Sequence, residues 1–129
     1  MMSVLKTFGF VSVLAMTSAG VASQARAADT LSLFAQCAGR FSAEMEFAWL
    51  MGNQDSETPK RLRSHFVDMI DAVLMPDDGP NVLARRIEAK VAHTALLSRA
   101  QFSQNPTEMR VAAQTAERDV AFCRAMLTG

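Results

Sequence analysis

The chain contains two cysteines, Cys37 and Cys123, which stand near opposite ends of what remains after an N-terminal leader is set aside. A bond between them closes almost the whole domain into one loop. Any fold that accommodates it must bring the first and last elements side by side. The leader is the reason to expect that bond. Residues 1–27 have the three parts of a cleavable secretory signal: one positive charge, Lys6, an apolar stretch from Phe8 to Ala22, and the small-residue pattern Ala25-Arg26-Ala27, which predicts cleavage before Ala28. The apolar stretch is about 15 residues long with Ser, Thr and Gly inside it, short of the roughly 20 needed to span a bilayer. Gln36, not a small residue, precedes Cys37, which argues against a lipoprotein signal, and the absence of a twin-arginine pair favours the general secretory route. The expected destination is the bacterial periplasm, where an even pair of cysteines reads first as a disulfide.

Removing the leader leaves residues 28–129, one domain by length and large enough to bury a core. Of the 13 basic residues, Lys6 and Arg26 leave with the leader, whereas all 13 acidic residues stay, so the domain carries a net charge of −2. Such a nearly neutral composition predicts no electrostatic footprint for DNA, RNA or anionic lipid. No second apolar stretch is long enough to predict a stable membrane span after cleavage.

Breakers divide the domain into four segments, and none alternates with the period of two that a strand requires. The first helix is predicted over residues 30–51, capped by Asp29 or Thr30 and stopped at Gly52-Asn53, with Phe34, Cys37, Ala38, Phe41, Met45 and Ala48 as its inward stripe. The second begins at Pro59 and ends before Pro76, with Leu62, Phe66, Met69, Ile70 and Val73 inward. The turn Pro76-Asp77-Asp78-Gly79-Pro80 leads into the third, expected to start at Pro80 or Asn81 and fade near Phe102, with Leu83, Ile87, Val91, Thr94 or Ala95, and Phe102 on its inner face. The fourth has the clearest start: Asn105 as cap, Pro106 in the first turn and Glu108 placed to reach back. Its stripe is Met109, Ala112, Ala113, Ala116, Val120, Cys123 and Leu127.

Short links make successive helices antiparallel, which predicts an all-α, four-helix up-down-up-down bundle. In that arrangement helix four runs antiparallel to helix one. Cys37, about two turns into the first helix, and Cys123, about one turn from the end of the last, then fall near the same end. An odd number of helices would hold them too far apart for a bridge that needs Cα atoms within about 7 Å.

Residues that carry chemistry are sparse. His65 and Met69 share a face of helix two, and thioether and imidazole ligands suit copper, but no third ligand accompanies them in sequence and core packing is the ordinary use of such methionines. Exported bundles of this size can hold haem, yet C-x-x-C-H is absent and helix four has no histidine. Ser64, His65 and Asp68 suggest a triad, but adjacent helical residues point about 100° apart, and His93-Thr94 has the same defect. No Gly-x-Ser-x-Gly or His-Glu-x-x-His occurs. The sequence therefore predicts no enzyme and no cofactor.

Two features point to a partner surface. Phe47, Trp49 and Leu50 spread apolar groups around more than one side of helix one's end. Lys60, Arg61 and Arg63 crowd the first turn of helix two, where the helix dipole disfavours cations, with Asp55, Glu57 and Glu46 as candidate neutralising neighbours. The expectation is a periplasmic binding or accessory protein that contacts another periplasmic or envelope protein, with a metal, haem or small apolar ligand binder as the alternative. Intact-mass analysis of the exported protein should give a chain beginning at Ala28. A product that retains Lys6 would show that the leader is not removed.

Overall fold

The computed structural model describes residues 19–52 and 55–129. The leader's apolar stretch up to residue 18 and the Asn53 half of the expected stop lie outside them. Four helices and no strand occur among the described residues: α1 (Ala19–Met51), α2 (Glu57–Val73), α3 (Gly79–Phe102) and α4 (Pro106–Thr128). They form the expected all-α bundle, with α1 and α3 running one way and α2 and α4 the other.

Local chemistry moves several helix boundaries. α1 does not start at a cap near Thr30. It runs unbroken from Ala19, and the Thr30 hydroxyl donates to the Arg26 carbonyl one turn back at 2.9 Å. Residues 20–30 are all exposed, and Leu31 is the first buried side chain. α1 ends at Gly52, whose N–H donates to the Ala48 carbonyl at 3.0 Å with φ +71°, a backbone state that favours glycine. α2 begins two residues before Pro59. The Asp55 carboxylate accepts from the Glu57 and Thr58 N–H groups at 2.9 and 3.3 Å, so it serves as the cap. α3 begins at Gly79, behind a turn in which Met75 N–H donates to the Asp78 carboxylate and Asp78 N–H donates to the Met75 carbonyl, each at 3.0 Å. At α4, Asn105 Oδ1 accepts from the Thr107 and Glu108 N–H groups as expected. Glu108 reaches back indirectly: its carboxylate accepts from the Ser103 hydroxyl at 2.7 Å, and that hydroxyl accepts from Asn105 N–H at 3.2 Å.

The bundle is organised around α1. α2 packs closely only on α1; α3 packs on both α1 and α4; α4 rests mainly on α3. Leu31, Ala35, Cys37, Ala38, Phe41, Phe66, Ile70, Val82, Val120 and Cys123 form the main core. Phe66 of α2 lies between Phe34 and Phe41 of α1, at ring separations of 6.2 and 6.0 Å. The stripes expected on α1, α2 and α4 face inward for the most part, although Ala113 and Val73 are exposed.

α3 departs from expectation. Its inner face holds Val82, Ala89, His93 and Leu96, while Leu83, Ile87, Val91 and Phe102 are all more than half exposed. The reason is the closeness of α1. A Cβ added at Gly39 would lie 2.3 Å from the Arg86 carbonyl oxygen and 3.1 Å from the Ala89 Cβ. At this separation Ala89 fits between the backbones. The larger Ile87 and Val91 lie on the far side.

The disulfide joins Cys37 of α1 to Cys123 of α4, with Cα atoms 5.6 Å apart and both side chains fully buried. It pins the two helices where their direct packing is thin. Closing so long a loop is worth about 4 kcal/mol on chain-entropy grounds, a large share of the roughly 5–15 kcal/mol that holds a domain folded.

Gly39→Ala tests the close crossing. Alanine improves helix propensity by about 1 kcal/mol, but here the new methyl meets a backbone oxygen that cannot move aside. The expected net result is a loss of about 1–3 kcal/mol in denaturant unfolding. Gly79→Ala, where no atom lies within 4 Å of the added carbon, should be neutral.

Candidate functional site

Because α1 and α3 run parallel, the end of α1, the start of α2, the end of α3 and the start of α4 all meet at one end of the bundle. The apolar residues expected at a partner surface divide there. Phe47 is buried, its ring 6.3 Å from that of Phe102, because α3 crosses on that side of α1. Trp49 and Leu50, in the last turn of α1, face outward at 57% and 74% exposure, and Phe102, on the Phe47 side, is 61% exposed.

The basic corner lies at the same end of the bundle, at the start of α2. Lys60 and Arg61 are exposed, and Lys60 pairs with Glu57 at 3.5 Å. Glu46 does not reach the corner; it pairs with Lys90 of α3 at 2.6 Å. Arg63 is half-buried, and its Nε has no hydrogen-bond partner among the described residues. The Thr58 hydroxyl, then the Thr58 and Glu57 N–H groups, hold the Asp55 carboxyl below its ordinary value. A depressed carboxyl stabilises the fold above its unfolded pKa, and the contribution is lost as pH falls through the lowered value. The start of α2, and with it the basic corner, should therefore loosen only below the ordinary carboxylate range.

A second polar cluster lies along the α1–α3 seam. His93 is 2% exposed, and its Nε2 lies 2.7 Å from Glu44 Oε1. Glu44 accepts, so Nε2 carries the proton in the neutral ring. Nδ1 is buried without a partner. A cleft of about 220 Å³ adjoins this pair, lined by Gln36, Arg40, His93 and Asp119 among others. Arg40 spans it toward α4, donating from Nη1 to the Asp119 carbonyl at 3.4 Å and approaching Cys123 Sγ at 3.6 Å. A histidine buried this deeply, with one nitrogen engaged by Glu44 of the neighbouring helix, ties α3 to α1. Its inward position was legible in the sequence only by giving a polar residue the same weight as Val82 and Ala89 in the 3–4 spacing.

The remaining sequence candidates separate. His65 is exposed while Met69 packs partly against the core. Among the described residues no group of three or more His, Cys, Asp or Glu side chains is placed to hold a metal ion. The Ser64 hydroxyl turns back onto the Lys60 carbonyl at 3.2 Å, away from any role beside His65.

No family model matches the chain, and neither the curated proteins nor the solved structures contain a match to it. The seam makes a stability prediction. Glu44→Ala leaves the buried His93 N–H without an acceptor and should cost about 1–3 kcal/mol in unfolding free energy. Glu46→Ala, removing an exposed pair, should cost less than about 1 kcal/mol.

Proposed function

We propose that the protein is a small exported binding or accessory module that acts by contact with another periplasmic or envelope protein, without catalysis. One observation carries this reading: Trp49 and Leu50 at the end of α1 and Phe102 at the end of α3 are all more than half exposed at one end of the bundle, the end at which α2 also starts with the exposed Lys60 and Arg61. Single exposed apolar residues are common on protein surfaces. A Trp, a Leu and a Phe exposed at the same end as two cations have the composition of an interface, where aromatic anchors are enriched. The disulfide and the close α1–α3 crossing support the reading by holding those side chains on a rigid frame, which lowers the ordering cost of binding.

The test is a double substitution, Trp49→Ser with Leu50→Ser, in protein expressed in its own envelope. Both residues are exposed, so the unfolding midpoint should stay within the small range of surface changes, about 0.5 kcal/mol. In-cell crosslinking from a photoreactive residue at position 61 should give one discrete adduct with the parent chain and lose it with the double variant. An adduct unaffected by the double substitution, or none, would count against this end as the contact. A chromophore or stoichiometric copper in the protein purified from its native compartment would favour the ligand-binding alternative.

A further inference from the structure

α3 turns an apolar ridge to solvent at a different place from the Trp49 end. Leu83, Ile87 and Val91 follow one another at four-residue steps, so they stand in a row on one face, and each is more than half exposed. The row runs on toward Phe102. The same helix carries four basic side chains, Arg85, Arg86, Lys90 and Arg99, against a single acidic one, Glu88. Its net charge is therefore +3, although residues 28–129 as a whole carry −2. The near-neutral total conceals this segregation, because the excess acid sits in α1 and in the links, at Asp29, Glu44, Glu46, Asp55, Asp77 and Asp78.

We infer that the outer face of α3 seats the protein on an anionic lipid surface, with the Leu83–Ile87–Val91 ridge lying among the headgroups and the basic side chains meeting lipid phosphates. Helical spacing puts Arg86 and Lys90 along one edge of the ridge and Arg99 along the other. Lys90 shares its charge with Glu46, and Glu88 is neutralised by Arg85 at 3.0 Å, so the half-buried Arg86 on the α1 side and the exposed Arg99 at the rim of the α3–α4 cleft supply most of the attraction, reaching the headgroups from the flanks of the ridge. Basic faces with an apolar centre lie in the plane of the bilayer interface in this way, and the long basic stems reach past the apolar row to the headgroups.

Charge and shape select this occupant over the others. A second copy would set the uncompensated Arg86 and Arg99 of one helix against those of another. A bilayer needs no matching groove, and the convex ridge suits a soft, flat surface.

The test reads position 87 directly. Ile87→Trp is combined with Trp49→Phe, so that the only tryptophan stands on the ridge, and Gln114→Trp with Trp49→Phe serves as the control on the exposed face of α4. Protein purified from the envelope is mixed with vesicles of phosphatidylethanolamine and brominated phosphatidylglycerol. Quenching at position 87 should exceed that at position 114 by about threefold or more and fall several-fold at high salt, where screening shortens to a few Å. Adding Arg86→Gln and Arg99→Gln should weaken binding by about tenfold, with the circular-dichroism spectrum unchanged. Equal quenching at the two positions overturns the inference, because a leader or any other segment holding the protein to the vesicle would quench without orienting α3. Quenching undiminished in neutral phosphatidylcholine also overturns it, as does a discrete protein adduct from a photoreactive residue at 87 with no lipid quenching.

Discussion

The crossing of α1 and α3 at Gly39 is the contact on which the remaining architecture rests. With no side chain at that position, the α1 backbone comes within reach of the Arg86 carbonyl and the Ala89 methyl. That closeness decides which side of α3 faces inward, and it carries His93 to Glu44 and Lys90 to Glu46. It also sends Ile87 and Val91 outward. In a square bundle the first and third helices face each other across a filled centre. Here they touch, α1 becomes the common neighbour of the other three, and α2 and α4 flank the pair. Such an arrangement leaves α4 dependent on α3 and on the Cys37–Cys123 bond for its place.

How much of this was legible in the sequence follows from what each residue type reveals by itself. The four helices and the disulfide follow from breakers, caps and the requirement that two cysteines meet, and the three- and four-residue spacing of Ala112, Ala116, Val120 and Cys123 marks the inner face of α4, with Ala113 the one misplaced member. α3 offers two interleaved stripes, Val82-Ala89-His93-Leu96 and Leu83-Ile87-Val91. Hydrophobicity favours the second because its members are larger. What reverses the choice is non-local: a glycine more than 40 residues away fixes the interhelical distance, and a short distance selects alanine over isoleucine. The unbroken start of α1 and the early start of α2 were missed for a different reason. The Thr30 hydroxyl bonds the Arg26 carbonyl one turn back and does not cap a new helix, and Asp55, ahead of Pro59, caps α2.

The candidate surfaces were only partly legible for the same reason. Trp49 and Leu50 were recognisable as apolar residues in excess of what one stripe requires. Phe47 belonged to the same group until α3 covered it, and Phe102, assigned to the core, took its place outside. The exposed aromatic groups thus come from two helices, and it is the fold that brings them to the same end of the bundle. The basic residues divide similarly: Lys60 and Arg61 stay in solvent, while Arg63 is half-buried against the bundle.

The continuity of α1 through Arg26 and Thr30 has a consequence for a processed chain. Scission ahead of Ala28 would delete the carbonyl that the Thr30 hydroxyl now engages and generate an ammonium group at the positive pole of the helix macrodipole, an unfavourable pairing. Asp29 would then be the second residue of the new chain, its carboxylate beside both the ammonium group and the unsatisfied amides of the first turn. The released hydroxyl and that carboxylate are both side chains suited to such amides. A terminus formed at that bond would thus carry its own capping groups, and it would lie ahead of Leu31, the first buried side chain of α1.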